Sequence, residues 1–446
     1  MIIEFSGIRS LTNGKMESRN LKKGIFYGWY IVIAGLITYA LGYGARYSFS
    51  VLFPALLEEF HLPRDTTAAV LSFHLLIYGF ISPLAGHMVD RVGPRFTIIV
   101  GAVFMSLGLA LSRWGSSIGH LYLSFGIIAG AGLCFMGAVP FTTIIKNWFE
   151  RKRGTAFAII TFGTGGAFAL YPGVSWLIER IGWRNTFFVE ACIVSGIVIP
   201  LVAIIVRYHP REKNLLPDGR PEDRRIPDSP GKAPSGEEPP RGQDWTFPHA
   251  LRISQFWLLA LIAFSFWGVM DHIMIAHHFA FAVDMGYPKI YASSILSLFG
   301  ITRALGSLSA LISDRIGREM TITMGSALGI SAIGVLLSIK DPSSPWRLYY
   351  YSLVFGYGIG LCSPTIMATI VDIVHGPKVG LTIGIIWFCF ALGGTIGPWV
   401  GGWLFELRGN YTLAFMVAIA MYLIALGAVW IAAPRKYRKF QKHSAQ

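Results

Sequence analysis

Charged residues are scarce in this sequence. Of its 446 residues, 14% are Asp, Glu, Lys or Arg, against about 25% in ordinary soluble domains, and 53% are hydrophobic. The hydrophobic residues fall in blocks of about 20 or more, the length that a helix needs to cross a hydrocarbon core of about 30 Å. Since lipid offers no hydrogen-bond partner to a bare backbone, these blocks are predicted to be helices. The sequence thus indicates an all-α membrane protein.

Three further absences narrow the possible classes. Cysteine occurs only four times, always inside a hydrophobic block, which favours small buried hydrophobes over disulfides or metal ligands. A phosphate-binding GxxxxGK[ST] loop is missing, which argues against ATP-driven transport. Residues 1–23 lack a short apolar core and a small-residue cleavage site, so no removable signal peptide is predicted, and translation starts at Met1 or at Met16. We predict no enzymatic activity, metal or cofactor.

The excess of basic residues is spread over alternate loops. The formal net charge is +14, but no compact basic domain carries it, so nucleic-acid binding is not indicated. The basic residues instead precede the first hydrophobic block or follow the second, fourth, eighth and last, as in Lys22 and Lys23, Arg91 and Arg95, Lys146 to Arg153, Arg315 and Arg318, and Arg435 to Lys439. The positive-inside rule then places both termini in the cytoplasm, and we predict a plasma (inner) membrane location.

The hydrophobic blocks form two sets of six, which predicts twelve transmembrane helices. We predict a cytoplasmic N-terminal tail at 1–23, six-helix bundles at 24–208 and 253–434, and a basic cytoplasmic tail at 435–446. Residues 209–252, between the bundles, are rich in Pro, Gly, Glu and Arg and are predicted to form a mostly irregular cytoplasmic linker. A short interfacial helix is expected within it, around Phe247 to Ser254.

The two halves repeat one another. GHMVDRVGPR in the first half matches ALISDRIGRE in the second, and IGWRNTFF matches RGNYTLAF. Three landmarks, Asp90 with Asp314, Pro172 with Pro398 and Gly182 with Gly409, lie 224, 226 and 227 residues apart. A nearly constant offset indicates duplication and predicts two pseudo-symmetric bundles. In carriers built this way, the binding site lies where the repeats meet, near the membrane midplane.

The GHMVDRVGPR loop resembles the loop between spans two and three of the major facilitator superfamily, and its second copy stands where that resemblance implies. Gly93 is expected to make the tight turn. The charged residues are expected to form cytoplasmic ion pairs that break as the bundles rock, although a plain loop anchor is the alternative. These gating residues are Asp90, Arg91, Gly93, Arg95, Asp314, Arg315 and Arg318.

Within that superfamily, the chain is most similar to the monocarboxylate porters and their oxalate:formate antiporter relatives. The segments that carry this resemblance are YGWYIV, RYSFSVLFPALLEEF, NWFERKRGTAFAI, ALRISQFWLLA and AHHFAFAVDMGY. One position departs from the family: the arginine that those porters usually carry in span eight, eight residues before the loop aspartate, is Gly306 here. Arg303 lies about one helical turn further from the cytoplasm on nearly the same face, and we expect it to supply the cation.

Several ionisable residues lie inside predicted spans, where charge is costly and usually faces a cavity or a partner. The repeat offset of about 225 places Arg46 opposite Asp271, and Arg303 opposite Tyr78, at matching depths. We predict substrate binding by Arg46, His74, Tyr78 and Arg303, and proton coupling by Asp271, His272 and His278. We also expect Asp271 or His272 within reach of Arg46. The alternatives are that Arg46 snorkels to the outer headgroups and that His277 and His278 lie at the outer mouth; Glu190 and Asp372 are expected to be structural.

Buried arginines with few carboxylates indicate an anionic substrate, because a guanidinium matches a carboxylate in shape and charge. The sequence therefore predicts a secondary transporter of a small organic anion, a mono- or dicarboxylate, by proton symport or anion exchange. Efflux of an amphipathic compound is the main alternative, although span four lacks the arginine found in many drug/proton antiporters. A non-transporting membrane sensor or membrane enzyme is the third, but the linker is too polar to form the extra domain it needs.

Overall fold

The computed structural model describes residues 25–61, 64–219, 250–374 and 379–435, and among these residues there are helices and turns but no β-strand. Three predicted features lie wholly or largely outside that part of the chain. They are the tail at 1–23, the tail that follows Arg435, and the linker between residues 220 and 249, which includes the start of its predicted helix.

The long helical segments follow the predicted order along the chain. They are α1 Tyr27–Phe60, α2 Arg64–Val92, α3 Pro94–Ser112, α4 Ile118–Trp148, α5 Arg153–Gly166, α6 Tyr171–Ile205, α7 Ser254–Asp284, α8 Lys289–Ser309, α9 Arg318–Leu337, α10 Trp346–Ile373, α11 Gly380–Arg408 and α12 Thr412–Ala432. Within α4 and α7, residues Tyr122–Ala129 and Ala263–Met270 form wider π-helical turns. At Gly182 the segment Tyr171–Ile205 divides into two helices, and the 3₁₀ turn Ala167–Leu170 joins its first part to α5, so that α5 continues to Gly182 and the sixth helix runs from there to Ile205.

Ten of these described segments are long and apolar enough to cross a membrane; α5, with 14 residues, and α8, which carries Lys289 and Arg303, are the two that are not. Large apolar side chains cover the outside of the protein. Ile204, Trp399 and Ile431, for example, are 69%, 68% and 73% exposed. A surface of this kind is stable in lipid rather than in water. The chain is therefore a multi-pass membrane protein.

The repeated loop adopts matching backbone conformations in its two copies. Gly93, between α2 and α3, has φ 85°, and Gly317, between α8 and α9, has φ 102°. These left-handed conformations let the chain reverse direction in one residue, which a side chain would hinder. The second landmark shares only the positive φ, since Gly182 has φ 75° and ψ 163° whereas Gly409 has φ 67° and ψ 13°. The tight turn predicted at Gly93 is present, and its copy repeats it.

Glycines allow several helices to touch through their backbones. A Cβ atom on Gly132 of α4 would lie 2.7 Å from Cα of Met105 in α3. One on Gly268 of α7 would lie 2.8 Å from Cα of Gly393 in α11. Close approach of this kind replaces the hydrophobic driving force that is missing inside a bilayer with dense van der Waals packing.

The start of the predicted linker is folded. Residues Pro210–Lys213 and Pro217–Gly219 form short 3₁₀ helices. The backbone N–H of His209 donates to Glu212 Oε1 at 2.9 Å, which supports the first of these turns. Asp218 Oδ2 accepts from the N–H of Arg151 at 2.8 Å, which holds the second against the loop after α4. The first eleven residues of the linker thus contain two short helical turns, and the prediction that the linker as a whole is mostly irregular stays a prediction.

Candidate substrate site and gate

An ion pair joins α7 and α8 in the interior. Nη1 and Nη2 of Arg303 donate to Oδ1 and Oδ2 of Asp271 at 3.3 and 3.0 Å. The two side chains are 14% and 4% exposed. Two parallel hydrogen bonds fix the plane of the guanidinium and make the buried charge tolerable.

The ion pair faces the other half of the molecule. Tyr47 of α1 lies close enough to Arg303 to interact with its charge. Tyr351 and Tyr422 lie within electrostatic range of Asp271. The Arg303–Asp271 pair therefore has aromatic neighbours from both halves.

Arg46 of α1 is a second buried cation, and it is held differently. The residue is 6% exposed, and its Nε has no hydrogen-bond partner. No ion pair to Arg46 is present in the part of the chain that the structure describes. Its Cζ lies 5.5 Å from the centre of the Tyr47 ring, and its charge acts on the rings of His74 and His272. Arg46 is therefore a buried guanidinium with no carboxylate to balance it.

Burial of Arg46 argues against the alternative that it snorkels to the headgroups. The expected contact between Arg46 and Asp271 is wrong, because both carboxylate oxygens of Asp271 bind Arg303. The repeat gives the depth of a residue but not the direction in which its side chain points, and α7 turns Asp271 towards α8. His272, the other expected neighbour, lies within electrostatic range of Arg46. Its Nδ1 is 2.8 Å from the Trp267 carbonyl oxygen.

His74 and Tyr78 are buried on α2. The Nδ1 atom of His74 lies 2.9 Å from the carbonyl oxygen of Phe125, and the two rings are 4.9 Å apart. The hydroxyl of Tyr78 and Nε2 of His74 have no hydrogen-bond partner among the described residues. Tyr78 also touches the opposite half, since its ring lies 6.2 Å from that of Phe390 on α11. Their roles in substrate binding stay predictions.

The two adjacent histidines in the second half of α7, His277 and His278, have different surroundings. His278 is 3% exposed, its Nδ1 is 2.6 Å from the Met274 carbonyl oxygen, and its charge interacts with Asp271. His277 is half-buried and places Nε2 2.9 Å from the carbonyl oxygen of Pro398 in α11. His278 therefore belongs to the interior rather than to an outer mouth, whereas His277 serves a helix–helix contact.

The two aspartates of the repeated loop each bind the N-terminus of a helix in the other half. Asp90 accepts from the backbone N–H groups of Gly380 and Leu381, at the start of α11, at 2.8 and 3.0 Å. Asp314 accepts from the N–H groups of Gly154 and Thr155, at the start of α5, at 3.1 and 2.8 Å. A carboxylate is stabilised there by the free amides and by the helix dipole. We call this end of the molecule, where α2 ends at Val92 and α9 begins at Arg318, the basic end.

A network of buried charged side chains surrounds the second copy of the repeated loop. Arg318 donates through Nη1 to Asp314 at 2.8 Å and through Nε to Asp372 at 2.9 Å. Arg153, from the first half, donates to the other oxygen of Asp372 at 3.0 Å. Arg318 is fully buried, and only 2% of the Asp372 side chain is exposed. The network therefore spans both halves with little access to water.

The ion pairs expected from the first copy of the loop are not formed. Asp90 binds backbone amides instead, because it lies at the start of α11. Arg95 donates to the carbonyl oxygen of Ala203 in α6. Arg91 and Arg315 are exposed, and neither forms an ion pair with the described residues. Of the expected ion pairs, the described residues thus form that of Asp314 with Arg318 and none with Arg91, Arg95 or Arg315, and the part that these residues play in gating stays a prediction.

The comparisons with known proteins agree with this architecture. A sequence profile of the Major Facilitator Superfamily matches residues 35–394 and residues 323–446. The chain belongs to the Major Facilitator Superfamily. It is 25% identical over 415 residues to monocarboxylate transporter 13 of Bos taurus, covering 90% of this chain and 88% of the relative. It is also 25% identical over 421 residues to monocarboxylate transporter 2 of Homo sapiens, with 91% and 84% covered.

Solved structures of the superfamily share the fold. The transporter FucP in the outward conformation superposes with a TM-score of 0.66 at 14% identity, covering 91% of this chain and 99% of FucP. The proton:xylose symporter XylE superposes with a TM-score of 0.68 at 14% identity, covering 91% and 95%. The chain is therefore a transporter of this superfamily, similar to the monocarboxylate transporters, and not an enzyme.

The departure from the monocarboxylate porters at Gly306 has a structural basis. An added Cβ there would lie 2.9 Å from Cα of Tyr357 in α10, so no side chain fits. Arg303, one turn away, points to Asp271 instead. Packing against α10 thus excludes an arginine at the usual position, and the role of Arg303 in substrate binding stays a prediction.

Sequence reasoning missed Arg153 and Asp372 as members of the gate. Arg153 was assigned only to a basic loop, and Asp372 only a structural role. The repeat contains a usable signal, because the partners of the two loop aspartates, Gly154 and Gly380, are 226 residues apart. That offset equates the segment after α4 with the segment after α10, and it marks both as contacts of the repeated loop.

Proposed function

We propose that this protein is a secondary transporter of a small organic anion, a mono- or dicarboxylate, working by alternating access. The observation that carries the proposal is Arg46, a buried guanidinium without a carboxylate partner among the described residues. An isolated buried cation is costly unless an anion binds it for part of the cycle. A substrate carboxylate is the natural occupant, because it can accept two hydrogen bonds from one guanidinium.

Arg303 supplies a second cation, which becomes available to the substrate when Asp271 is protonated. While Asp271 is ionised, the pair is neutral and Arg303 is occupied. Protonation of Asp271 removes the negative charge and frees the guanidinium for a second substrate oxygen. His272 and His278, both close to Asp271, are placed to pass the proton. This order of events gives proton symport. The protein would instead exchange one anion for another if an anion from inside the cell, rather than a proton, occupied the site during the return step.

Alternating access is supported by contacts that join the halves at the basic end. Asp90 and Asp314 cap helices across the interface, and Ser82 Oγ donates to the Gly384 carbonyl oxygen at 2.7 Å. These contacts close the basic end, so the site opens to the opposite side. By the positive-inside rule the basic end faces the cytoplasm of a plasma membrane, which makes this an outward-facing state.

The finer architecture is part of the same proposal. We infer twelve spans, with α1–α6 in a bundle at residues 24–208 and α7–α12 in a bundle at 253–434. This requires α5, continued through the 3₁₀ turn Ala167–Leu170 as far as Gly182, to form the fifth span, and α8 to form the eighth although it falls outside the ten segments that are long and apolar enough to cross a membrane. Both pack against the opposite half, as Gly165 of α5 does against Ala304 of α8, so they face protein and the cavity more than lipid.

Uptake by the purified protein in liposomes tests the function. Mono- and dicarboxylates are supplied outside, with and without an acidic exterior, and a neutral sugar and a zwitterionic amino acid serve as controls. We expect carboxylate uptake that the acidic exterior accelerates and that Asp271→Asn makes independent of pH. Uptake of none of the carboxylates, in liposomes where the protein is folded and oriented, contradicts the proposal.

Efflux of an amphipathic compound is the second candidate, and an aromatic cluster favours it. The rings of Trp267 and Trp387 stack 5.1 Å apart at 11°, and Phe390 lies 5.3 Å from Trp387. Such a wall suits a flat apolar ligand. Export of aromatic cations, with no carboxylate uptake in the same liposomes, would favour this candidate over the first.

A further inference from the structure

A cavity of about 320 Å³ lies at the basic end, outside the candidate substrate site. Its walls come from two segments of the first half, the α2–α3 loop and the residues that follow α6. The lining residues are Asp90, Arg91, Val92, Gly93, Pro94, Arg95, Val206, Arg207, Tyr208 and Glu212. Neither the gate nor the proposed substrate pathway uses the side chains of its three arginines.

The carboxylates of the cavity are already bound by backbone amides. Asp90 accepts from two amides of α11, and Oε1 of Glu212 accepts from the N–H groups of Tyr208 and His209 at 2.8 and 2.9 Å. Three arginines against two carboxylates leave a net positive charge. The acidic groups therefore balance only part of the positive charge of the cavity and form no ion pair with its arginines among the described residues.

The arginines retain free hydrogen-bond donors. Arg95 and Arg207 donate only to the backbone carbonyl oxygens of Ala203 and Val206. Arg91 has no hydrogen bond or ion pair among the described residues. A guanidinium has five N–H donors, so most of the donors in this cavity are available to an anion. The first turn of α3, which Gly93 leaves without a side-chain cap, adds free backbone amides to the same wall.

The rim of the cavity is apolar and faces the hydrocarbon. Val92 lines the cavity and is 54% exposed, and Phe96 and Ile204, on the adjoining turns of α3 and α6, are 53% and 69% exposed. The cavity thus lies at the level where lipid phosphates meet acyl chains. A ligand that combines an anionic phosphate with a hydrocarbon tail matches both parts, whereas a soluble phosphate matches only the arginines.

We propose that this cavity binds the phosphate headgroup of an anionic phospholipid, with Arg91, Arg95 and Arg207 as its ligands and the acyl chains lying along Val92, Phe96 and Ile204. The bound lipid ties the α2–α3 loop to the start of the linker. Because Asp90 of the same loop caps α11 across the two halves, the lipid also stabilises the closed basic end.

Native mass spectrometry of the full-length protein in detergent tests the site, with phosphatidylglycerol and phosphatidylcholine of identical chains as probes. Each arginine near an anionic lipid contributes roughly fivefold to its binding. We therefore expect Arg91→Gln to lower phosphatidylglycerol binding about fivefold, and the triple variant with Arg95→Gln and Arg207→Gln to reduce it to the level of phosphatidylcholine. Arg91→Gln removes no contact of the described fold, so its effect is separable from misfolding.

A matched control changes three arginines at the opposite end, Arg180→Gln, Arg347→Gln and Arg408→Gln, and should bind phosphatidylglycerol like the wild type. Glycerol 3-phosphate, which has the anion without the chains, should not compete at millimolar concentration. Undiminished lipid binding in the triple variant, an equal loss in the control, or full competition by glycerol 3-phosphate would each overturn the proposal. Transport plays no part in these measurements, so they stand apart from the proposed function.

Discussion

Two arginines are buried at the centre of the molecule, one in each half, and their surroundings differ. Arg303 is held by both oxygens of Asp271, and its charge is balanced. Arg46, on the other side, has aromatic and imidazole neighbours but no carboxylate in the described structure. In the proposed transport cycle, the half that carries Asp271 switches its cation by protonation. The other half presents a permanent positive charge to the proposed substrate.

The same asymmetry appears at the gate. Asp90 and Asp314 are equivalent in the repeat, and both cap a helix across the interface. Only Asp314 is also paired with an arginine, Arg318, which continues to Asp372 and Arg153. Duplication thus preserved the backbone geometry of the two loops, while the ion pairs evolved in one copy. The contrast between paired and unpaired charges can be tested both at the central arginines and at the two copies of the repeated loop.

The largest effect is expected from breaking the central pair. Asp271→Leu leaves Arg303 buried and unpaired and should lower the free energy of unfolding by about 3 kcal/mol. The double variant with Arg303→Leu should recover most of that loss, because no stranded charge remains. Arg46→Leu, which has no partner to lose, should cost nothing or stabilise the protein. Chemical unfolding in detergent measures all three, and equal losses for Asp271→Leu and Arg46→Leu would contradict the comparison.

Arg303→Lys should have the next largest effect. Lysine keeps the charge but lacks the planar guanidinium, so it cannot donate in parallel to a carboxylate, and its contact with the substrate, once Asp271 releases it, loses one hydrogen bond. A charge-assisted hydrogen bond contributes about 1.5 kcal/mol, and we expect uptake in liposomes to fall roughly tenfold. Arg347→Lys, at the start of α10 and outside the candidate site, is the control and should transport normally. Wild-type uptake by Arg303→Lys would show that the planar group is not required.

A smaller effect should separate the two copies of the gate. Asp314→Asn weakens contacts to two amides, the Thr155 hydroxyl and an arginine, whereas Asp90→Asn weakens contacts to two amides. We expect Asp314→Asn to open the basic end about tenfold more often than Asp90→Asn, since a charged hydrogen bond contributes about 1.5 kcal/mol. Distances between spin labels on the two halves at the basic end report the populations. Equal opening by the two variants would mean that the Arg318 network adds nothing.

The smallest effect is expected at an exposed pair. Nη2 of Arg184 donates to Oε1 of Glu59 at 3.0 Å, and this hydrogen bond holds the pKa of Glu59 below its usual range. Any stabilisation is present above the usual glutamate pKa and is lost as pH falls through the lowered one. Both side chains are exposed to solvent, so Glu59→Gln should leave the melting temperature nearly unchanged at pH 7 as at pH 4. A large drop in the melting temperature of Glu59→Gln at pH 7 would show that an ion pair in this protein can be strongly stabilising even when both side chains are exposed.

Much of the fold was predictable because it depends on period and repetition. The order of the helices followed from the hydrophobic blocks, and the tight turns at Gly93 and Gly317 followed from the repeated loop. The sequence also placed Asp271 and Arg303 in the central layer. It could not show that they pair, because the side-chain direction depends on how α7 and α8 are rotated against each other.

The gate was predicted less completely. Asp90 and Asp314 were identified from the loop motif, but their partners lie about 160 and 290 residues away along the chain. Contacts between halves depend on the packing of whole bundles, which local patterns do not contain. The folded start of the linker was missed for a different reason. Its composition is polar, and its order comes from Glu212 and Asp218 accepting backbone hydrogen bonds.

The central claim is that the unpaired Arg46 binds the carboxylate of the substrate. Counterflow of a labelled carboxylate in liposomes, compared between the wild type and Arg46→Gln, tests it most directly. Glutamine keeps hydrogen-bonding capacity but removes the charge, so we expect at least a tenfold loss of counterflow while the melting temperature is maintained. Counterflow at the wild-type rate in Arg46→Gln would contradict the account, because the cation that carries it would be dispensable.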